Sequence, residues 1–406
     1  MQYILLTDDN KLWLWGFRRD LNHSGAVVAN ALTSIQYGYS YPFQQVIPDN
    51  NSGRSLPNGV NATDIKMLFV TWGTIAITTC DGAVWVLSQN DHIAQGNAAT
   101  EWVRIHKANS ADAKGDPLSN VVATRGSAYA LMALTADGKV YTWGKETRLG
   151  NGTAPSNRYY AREMSLPNNA NGTVKMIGAT SYDKNNPSSL TTPSLDNGKH
   201  SYYILYQTAG KNYGELWALG NNEKKQLGNW STSSSNSWVQ PRYDSASGPV
   251  MNDIVWISPQ EHDMLYPFIN VINQEQYLFN WGAEAQQALG RGTHNVSIGS
   301  SEVDPGKPST WSEGSNEDIM GVESGGHTTM IIRKCSSTFG YLGHRVHGSM
   351  GDGEIANIGG VAEVLFNTYP LQLCGIPTID ATLKANRGGP YCKNIPIQLD
   401  YAPLGG

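Results

Sequence analysis

The sequence is poor in charged residues and in cysteine. Charged residues make up 16% of its 406 residues and the net charge is −5, whereas about a quarter of an average protein is charged. Nucleic-acid binding needs a basic surface, so we expect no nucleic-acid partner. The four cysteines, Cys80, Cys335, Cys374 and Cys392, are too few for a disulfide scaffold and contain no CxxC pair. We therefore expect no structural zinc, no other metal and no cofactor.

Long hydrophobic runs are also missing. No stretch reaches the roughly 18 apolar residues of a membrane helix, and residues 1–7 lack the basic segment of a signal peptide. Phenylalanine is scarce, with 7 residues, whereas the chain has 12 tryptophans and 20 tyrosines. Tryptophan and tyrosine favour strands and their rims, where the ring packs and its polar tip reaches water. The length allows one large all-β domain or two to three smaller units.

A short phrase recurs along the chain. Its best copy, Asp137–Gly144, reads DGKVYTWG, and a second phrase with the pattern Leu-Gly-Asn-Gly follows it at 149–152. The copies occupy residues 9–16, 81–88, 137–144, 214–220, 275–282 and 339–343, and their last positions lie about 65 residues apart on average. An Asp-Gly pair between alternating runs indicates a hairpin with a type I′ turn. Apolar segments upstream of each turn bring the count to about four strands per repeat, which favours a β-propeller.

These two phrases together resemble the RCC1 repeat, over residues 1–374. The resemblance implies an RCC1-type propeller of four-stranded blades, with six visible copies and six or seven blades in total. The repeat also carries a histidine after glycine, which His327 matches, and His200 is a second candidate. The chain opens in the middle of a repeat, so we expect earlier residues to complete the ring. The structural repeat residues are Trp15, Gly16, Asp137, Gly138, Trp143, Gly144, Gly220, Trp281, Gly282 and His327.

The last segment, residues 375–406, has a different pattern. Its Gly389-Pro390-Tyr391-Cys392 motif resembles the opening of an immunoglobulin-like module in the surface adhesins of gliding Bacteroidetes. We interpret 375–406 as a linker and the incomplete start of such a sandwich, because a complete one needs about 100 residues. The resemblance implies a large secreted protein of the bacterial cell surface, connected with type IX secretion or gliding motility, and an O-glycosylation site at Ser245. A disulfide between Cys335 and Cys374 suits such an exported protein.

Aromatic residues that break the repeat are the candidate binding residues. A tryptophan present in every repeat is a packing residue, whereas loops on a rigid scaffold often bind partners, and Tyr, Trp and Arg dominate binding hot spots. We place these candidates in the long loops, with packing over blade edges as the alternative role. They are Tyr37, Tyr39, Tyr41, Arg158, Tyr159, Tyr160, Trp230, Trp238 and Trp311.

These observations favour a non-catalytic recognition or adhesion module. Its ligand would be a protein or a polysaccharide bound by the loop face, and other subunits of a surface or secretion complex are further candidate partners. We predict no catalytic residues, because no nucleophile motif, phosphate loop or paired carboxylate pattern occurs. A propeller lyase or hydrolase acting on polysaccharide, a structural spacer, and nucleotide exchange on a small GTPase remain alternatives. Clustered carboxylates with a histidine at the central channel would favour an enzyme, and aromatic or Asn-rich loops would favour binding.

Overall fold

A computed structural model confirms that the chain is all-β. The one helix among the described residues is a short 3-10 turn, Ala62–Asp64. None of the helical structure in this part of the chain has the length or hydrophobicity of a membrane span. The described residues are 2–16, 41–48, 53–71, 73–88, 90–97, 101–127, 129–182, 199–262, 266–291, 301–308, 319–326, 328–333, 338–345 and 358–365. The predicted immunoglobulin-like segment, 375–406, lies outside them.

The strands form consecutive antiparallel groups, which we call units one to six. Unit one contains β1 (Gln2–Leu6), β2 (Leu12–Gly16) and β3 (Tyr41–Gln45). Unit two contains β4 (Ile65–Thr71), β5 (Thr74–Thr79), β6 (Val84–Ser88) and β7 (Val103–Arg104). A hairpin of β8 (His106–Ala108) and β9 (Lys114–Pro117) follows. Unit three contains β10 (Val121–Gly126), β11 (Ala130–Thr135), β12 (Val140–Thr147) and β13 (Ser156–Glu163).

The later units repeat this order. Unit four contains β14 (Thr173–Tyr182), β15 (Lys199–Gln207), β16 (Gly214–Gly220) and β17 (Ser235–Val239). Unit five contains β18 (Ile254–Pro259), β19 (Phe268–Asn273), β20 (Leu278–Glu284) and β21 (Ser301–Gly306). Unit six contains β22 (Ile319–Gly325), β23 (Thr328–Arg333), β24 (Thr338–Arg345) and β25 (Ile358–Leu365). One residue pair, Gly214 and Ile254, joins units four and five into a single sheet.

The Asp-Gly turns differ from the predicted type I′ geometry. In unit three only Gly138 has a positive φ, 83°, whereas a type I′ turn needs two positive values. Gly138 N–H donates to Thr135 O, and Thr135 N–H donates to Lys139 O, so the loop has three residues and ends in a left-handed glycine. The side chains of Thr135 and Asp137 are hydrogen-bonded inside the turn. This side-chain bond stabilises the three-residue form.

The first strands of units two to six lie side by side around a common axis. β4 contacts β10, β10 contacts β14, β14 contacts β18, and β18 contacts β22. Separate buried cores fill the spaces between successive units, from units one and two through to units five and six. Units two to five therefore each bury one face against the unit before and the other against the unit after, which is propeller packing.

Candidate functional site

The repeat tryptophans join neighbouring units. Trp143 and Trp281 are fully buried. The indole N–H of Trp143 donates to Ile93 O in the turn of unit two, at 3.2 Å. The indole N–H of Trp281 donates in the same way to Gln226 O in unit four, at 2.8 Å. In unit one, the Trp-Gly pair that corresponds to Trp143-Gly144 is Trp15-Gly16, the last two residues of β2.

Glycines of both phrases allow this close packing. Gly144, Gly220 and Gly282 have φ values of 122°, 127° and 112°, and a Cβ on any of them would meet backbone atoms of the adjacent strand. In the second phrase, Gly228 has a φ of 62°, and its Cβ would lie 2.7 Å from the ring of Trp281. These positions therefore need glycine for both conformation and space.

His200 is a buried packing residue that joins units three and four. Its Nε2–H donates to Lys145 O at 2.8 Å, and its Nδ1 lies 3.0 Å from the hydroxyl of Ser127, which donates to it. Burial lowers the pKa of His200 to about 3, so the ring is neutral at physiological pH. The other repeat histidine, His327, lies outside the described residues.

Three of the predicted binding residues lie on a strand and not in a loop. Arg158, Tyr159 and Tyr160 belong to β13, the outer strand of unit three. The sequence SNRYYARE has no apolar run because both faces of this outer strand are partly exposed, and loop placement was wrong for that reason. Tyr159 is 41% exposed.

The two tryptophans of unit four are used in packing. Trp238 lies on β17, not in a loop, and its indole N–H donates to Ser165 O at 2.7 Å. Trp230 lies in a turn, and its indole N–H donates to Arg242 O at 3.0 Å. Tyr41 is the first residue of β3. The remaining candidates, Tyr37, Tyr39 and Trp311, lie outside the described residues.

The β8–β9 hairpin extends the sheet of unit three and forms a groove beside β13. β8 pairs in parallel with β13 through Lys107 and Ala161, so this sheet has six strands. The groove has a volume of about 570 Å³. We call it the hairpin groove; the residues that line it include Lys107, Asn109, Asp116, Lys139, Tyr141, Arg162 and Glu163.

Charges of both signs line the hairpin groove. Arg162 Nη2 lies 2.9 Å from Asp112 Oδ1 in the hairpin loop, and Arg158 Nη1 lies 3.9 Å from Asp112 Oδ2. Lys139 Nζ lies 3.3 Å from Glu163 Oε2, and the Tyr141 hydroxyl donates to the same oxygen. Burial and the charge of Glu163 raise the pKa of Tyr141 to about 12. The Asp112 pairs connect the hairpin loop with β13, and the Lys139–Glu163 pair connects the β11–β12 turn with β13. Asp112, Lys139 and Glu163 are about half exposed, so each pair adds little stability.

A stacked aromatic pair lies two residues along β13 from Ala161 of the groove; Tyr159 is exposed, whereas its partner His92 is 12% exposed. The rings of Tyr159 and His92 are stacked, with centroids 4.1 Å apart and an angle of 10° between their planes. The Tyr159 hydroxyl donates to Asp91 Oδ2 at 3.4 Å, and Asp91 also lies 2.9 Å from His92 Nδ1. The stack fixes the orientation of Tyr159 and leaves part of its ring free for a ligand.

A second polar cluster lies where the first strands of the units end. Glu261 follows β18 and is 8% exposed, Arg125 lies on β10, and Glu323 lies on β22. Arg125 Nε lies 3.8 Å from Glu261 Oε2. We call these three residues with Thr71 the axial cluster. None of its members was a candidate from the sequence, although each charge stands near the end of an otherwise apolar first strand.

The remaining predictions concern metal binding, the cysteines and Ser245. The described residues hold no group of three or more His, Cys, Asp or Glu side chains that could bind a metal ion. Cys80 is disulfide-bonded, whereas Cys335 and Cys374 lie outside the described residues. Ser245 lies in a turn, where its hydroxyl is 3.4 Å from that of Ser247.

Comparison with known proteins identifies the class of fold. No model of a protein family and no curated protein matches the sequence. Among solved structures, human WBSCR16, an RCC1-like protein, is similar with a TM-score of 0.56 and 15% identity, over 89% of this chain and 79% of that one. Yeast RCC1 (Prp20), in its complex with Kap60, gives a TM-score of 0.55 and 14% identity, over 93% of this chain and 74% of that one. The chain therefore has an RCC1-like β-propeller fold.

Proposed function

We propose that this propeller is a non-catalytic protein-recognition module that binds its partner at the hairpin groove. The observation that carries the proposal is the β8–β9 hairpin, which widens unit three and creates a groove of about 570 Å³ lined by charged side chains of both signs. The neighbouring Tyr159 supplies an exposed, oriented aromatic ring. Aromatic and arginine side chains held in place by their neighbours are the usual centres of protein interfaces.

The structural neighbours support protein binding. One structure of yeast Prp20p is described together with its binding to Gsp1p and histones, with a TM-score of 0.51 and 14% identity over 90% of this chain and 75% of that one. Another shows yeast RCC1 bound to Kap60. For the present chain we infer the same general role, a protein partner on a propeller scaffold. Its mixed charge pattern fits a partner surface that also carries both signs.

The wider setting that we propose is a propeller of six or seven blades in a large adhesin-type protein of the bacterial cell surface. The disulfide at Cys80 supports an oxidising compartment. Fractionation of the cells that produce the protein tests the location, since a protein confined to the cytosol would contradict it.

The binding surface is tested with two groove variants and two matched controls. Tyr159→Ala removes the exposed ring, and Arg162→Glu reverses a groove charge. Tyr213→Ala and Lys211→Glu make the same chemical changes in unit four, where Lys211 Nζ lies 5.8 Å from the ring of Tyr213. Each tagged protein is used to isolate partners from the producing cells, and bound proteins are quantified by mass spectrometry.

The proposal predicts a partner that is retained by the wild type and both unit-four controls. The same partner should be reduced at least tenfold with Tyr159→Ala and Arg162→Glu, because a hot-spot change of about 1.4 kcal/mol is tenfold in affinity. Equal recovery with all five proteins would exclude the hairpin groove as the binding site.

A further inference from the structure

Unit one has an open sheet edge. In units two to six the second strand lies between a first and a third strand, whereas β1 pairs with β2 alone among the described strands. Thr7 N–H donates to Lys11 O across the turn that follows β1. Thr135 N–H donates to Lys139 O in the same way after β11, so β1 corresponds to the second strand of unit three. The other edge of β1 therefore lies where a first strand pairs in every later unit.

One face of unit one is also uncovered. Leu5 of β1 is 43% exposed. Its counterpart in each of units two to six is fully buried and packs against the preceding unit. These counterparts are Ile77, Ala133, Ile204, Val271 and Ile331. Leu5 therefore faces the place that a preceding unit occupies elsewhere in the propeller.

Unit six is uncovered on its opposite face. Met330 of β23 is 42% exposed, whereas its counterparts in units two to five are buried and face the following unit. These counterparts are Ala76, Met132, Tyr203 and Asn270. In the described part of the chain, Leu5 and Met330 are two of the three exposed large hydrophobic side chains. They lie on the two faces that meet if unit six is followed by unit one.

The first strands of units two to six share a local pattern. Near the start of each stands a β-branched residue, and the next residue has no partner in the ladder, which marks a β-bulge. In unit three these two residues are Val121 and Val122. Three positions after the β-branched residue comes the residue that pairs with the counterpart of Leu5, as Thr124 pairs with Ala133. A strand that completes unit one should follow the same pattern.

Residues 376–381, with the sequence IPTIDA, fit this pattern. They lie outside the described residues. Ile376 stands at the β-branched position, and Ile379 stands three positions later. Pro377 stands at the bulge, where its missing N–H breaks no ladder hydrogen bond. The sequence of this segment is therefore compatible with a first strand, including its proline.

The chain can bring this segment to unit one. Residues 366–375 connect it to β25, much as residues 164–172 connect β13 to the first strand of unit four. Cys80 of unit two is disulfide-bonded, and its partner is one of the three remaining cysteines, Cys335, Cys374 and Cys392. The chain from residue 335 onward is therefore tied to unit two, which shares a core with unit one.

We propose that residues 376–381, which we call the closing segment, are the first strand of unit one and close the propeller as a ring of six units. The register of unit three places Ile379 opposite Leu5 and Pro377 at the bulge. Unit six then packs on the completed unit one, so Leu5 and Met330 become buried. The closing segment thus belongs to the propeller and not to the linker after it. The closure does not depend on what the hairpin groove binds.

Hydrogen exchange of β1 tests the closure. The amides of Ile4 and Leu6 alternate with the amides that face β2, so they point to the open edge. Both should be protected in the wild type. Ile379→Asp places a charge between units six and one and should lower their protection about tenfold or more. Ile397→Asp makes the same change outside the closing segment and should match the wild type.

Cysteine cross-linking tests the register and identifies the occupant of the edge. Leu5→Cys combined with Ile379→Cys should form a disulfide within one chain on mild oxidation, because opposed strand residues lie within bridging distance. Leu5→Cys combined with Ile397→Cys should form none. Peptide mapping by mass spectrometry and the mass of the oxidised protein identify each cross-link.

Three results would overturn the proposal. The first is equal exchange of the β1 amides in the wild type and Ile379→Asp, which would assign the edge to earlier residues or leave it open. The second is the absence of a cross-link between positions 5 and 379. The third is a cross-link between two chains through position 5, which would assign the edge to a second copy. Cross-linking alone decides the question if Ile379→Asp does not fold.

Discussion

Replacing Trp143 with alanine tests the contact on which the propeller packing depends. Trp143 is fully buried in a core that units two and three share, together with Ile93, Val86 and Leu131. Its indole N–H is bonded to Ile93 O in the preceding unit. The substitution removes both the ring and this bond, and it empties a space between two sheets that cannot collapse without moving one of them.

The expected cost is about 3–5 kcal/mol of unfolding free energy, as for other large-to-small changes in protein cores. About 1 kcal/mol of this comes from the lost hydrogen bond, which leaves the buried carbonyl of Ile93 without its partner. Trp143→Phe separates the two contributions, because it keeps an aromatic ring and removes the N–H donor. This variant should lose about 1–2 kcal/mol.

Urea denaturation monitored by far-ultraviolet circular dichroism measures these losses. The matched control is Tyr159→Ala, another aromatic truncation in unit three, at a side chain that is 41% exposed. It should change stability by no more than about 0.5–1 kcal/mol. If Trp143→Ala costs no more than the Tyr159 control, the indole does not hold units two and three together.

Three further predictions concern packing, pH and redox state. Gly228→Ala should destabilise the fold by about 1–3 kcal/mol more than Gly210→Ala, because both glycines have positive φ but only a Cβ at 228 meets Trp281; equal urea midpoints would refute this. Between pH 5 and pH 8 the wild type should lose about 2–4 kcal/mol of unfolding free energy relative to Glu261→Gln. The reason is that burial raises the pKa of Glu261 to about 8, so the folded protein holds a proton that the unfolded chain releases. Parallel pH–stability curves of the two proteins would contradict this. Cys80 should resist alkylation in the native protein and become reactive after reduction, since it is disulfide-bonded; rapid labelling without reductant would count against the disulfide.

The propeller could be predicted from the sequence because its signals are local and repeated. The turn at Asp137–Gly138 and the Trp-Gly pair at 143–144 lie within eight residues, and Trp281 in the fifth copy repeats the contact of Trp143 with the unit before it. Sequence reasoning chose the wrong turn type because the Thr135–Asp137 side-chain bond, which favours the longer loop, is visible only in the structure.

Features that depend on distant residues could not be predicted. The β8–β9 hairpin joins unit three through a parallel pairing with β13, and no local pattern specifies that pairing. Glu261 looks like an ordinary exposed acid in the sequence, because its partners Thr71, Arg125 and Ala179 come from three other units. The aromatic residues of β13 were identified as binding candidates, but the groove beside them exists only after the hairpin has docked.

The affinity of the recovered partner for the purified protein tests the central proposal most directly. The partner is titrated by isothermal calorimetry against wild type, Tyr159→Ala, Arg162→Glu and Lys211→Glu. Recognition at the hairpin groove predicts at least tenfold weaker binding for the Tyr159 and Arg162 variants and unchanged binding for Lys211→Glu. Wild-type affinity in both groove variants, with each variant folded, would contradict it.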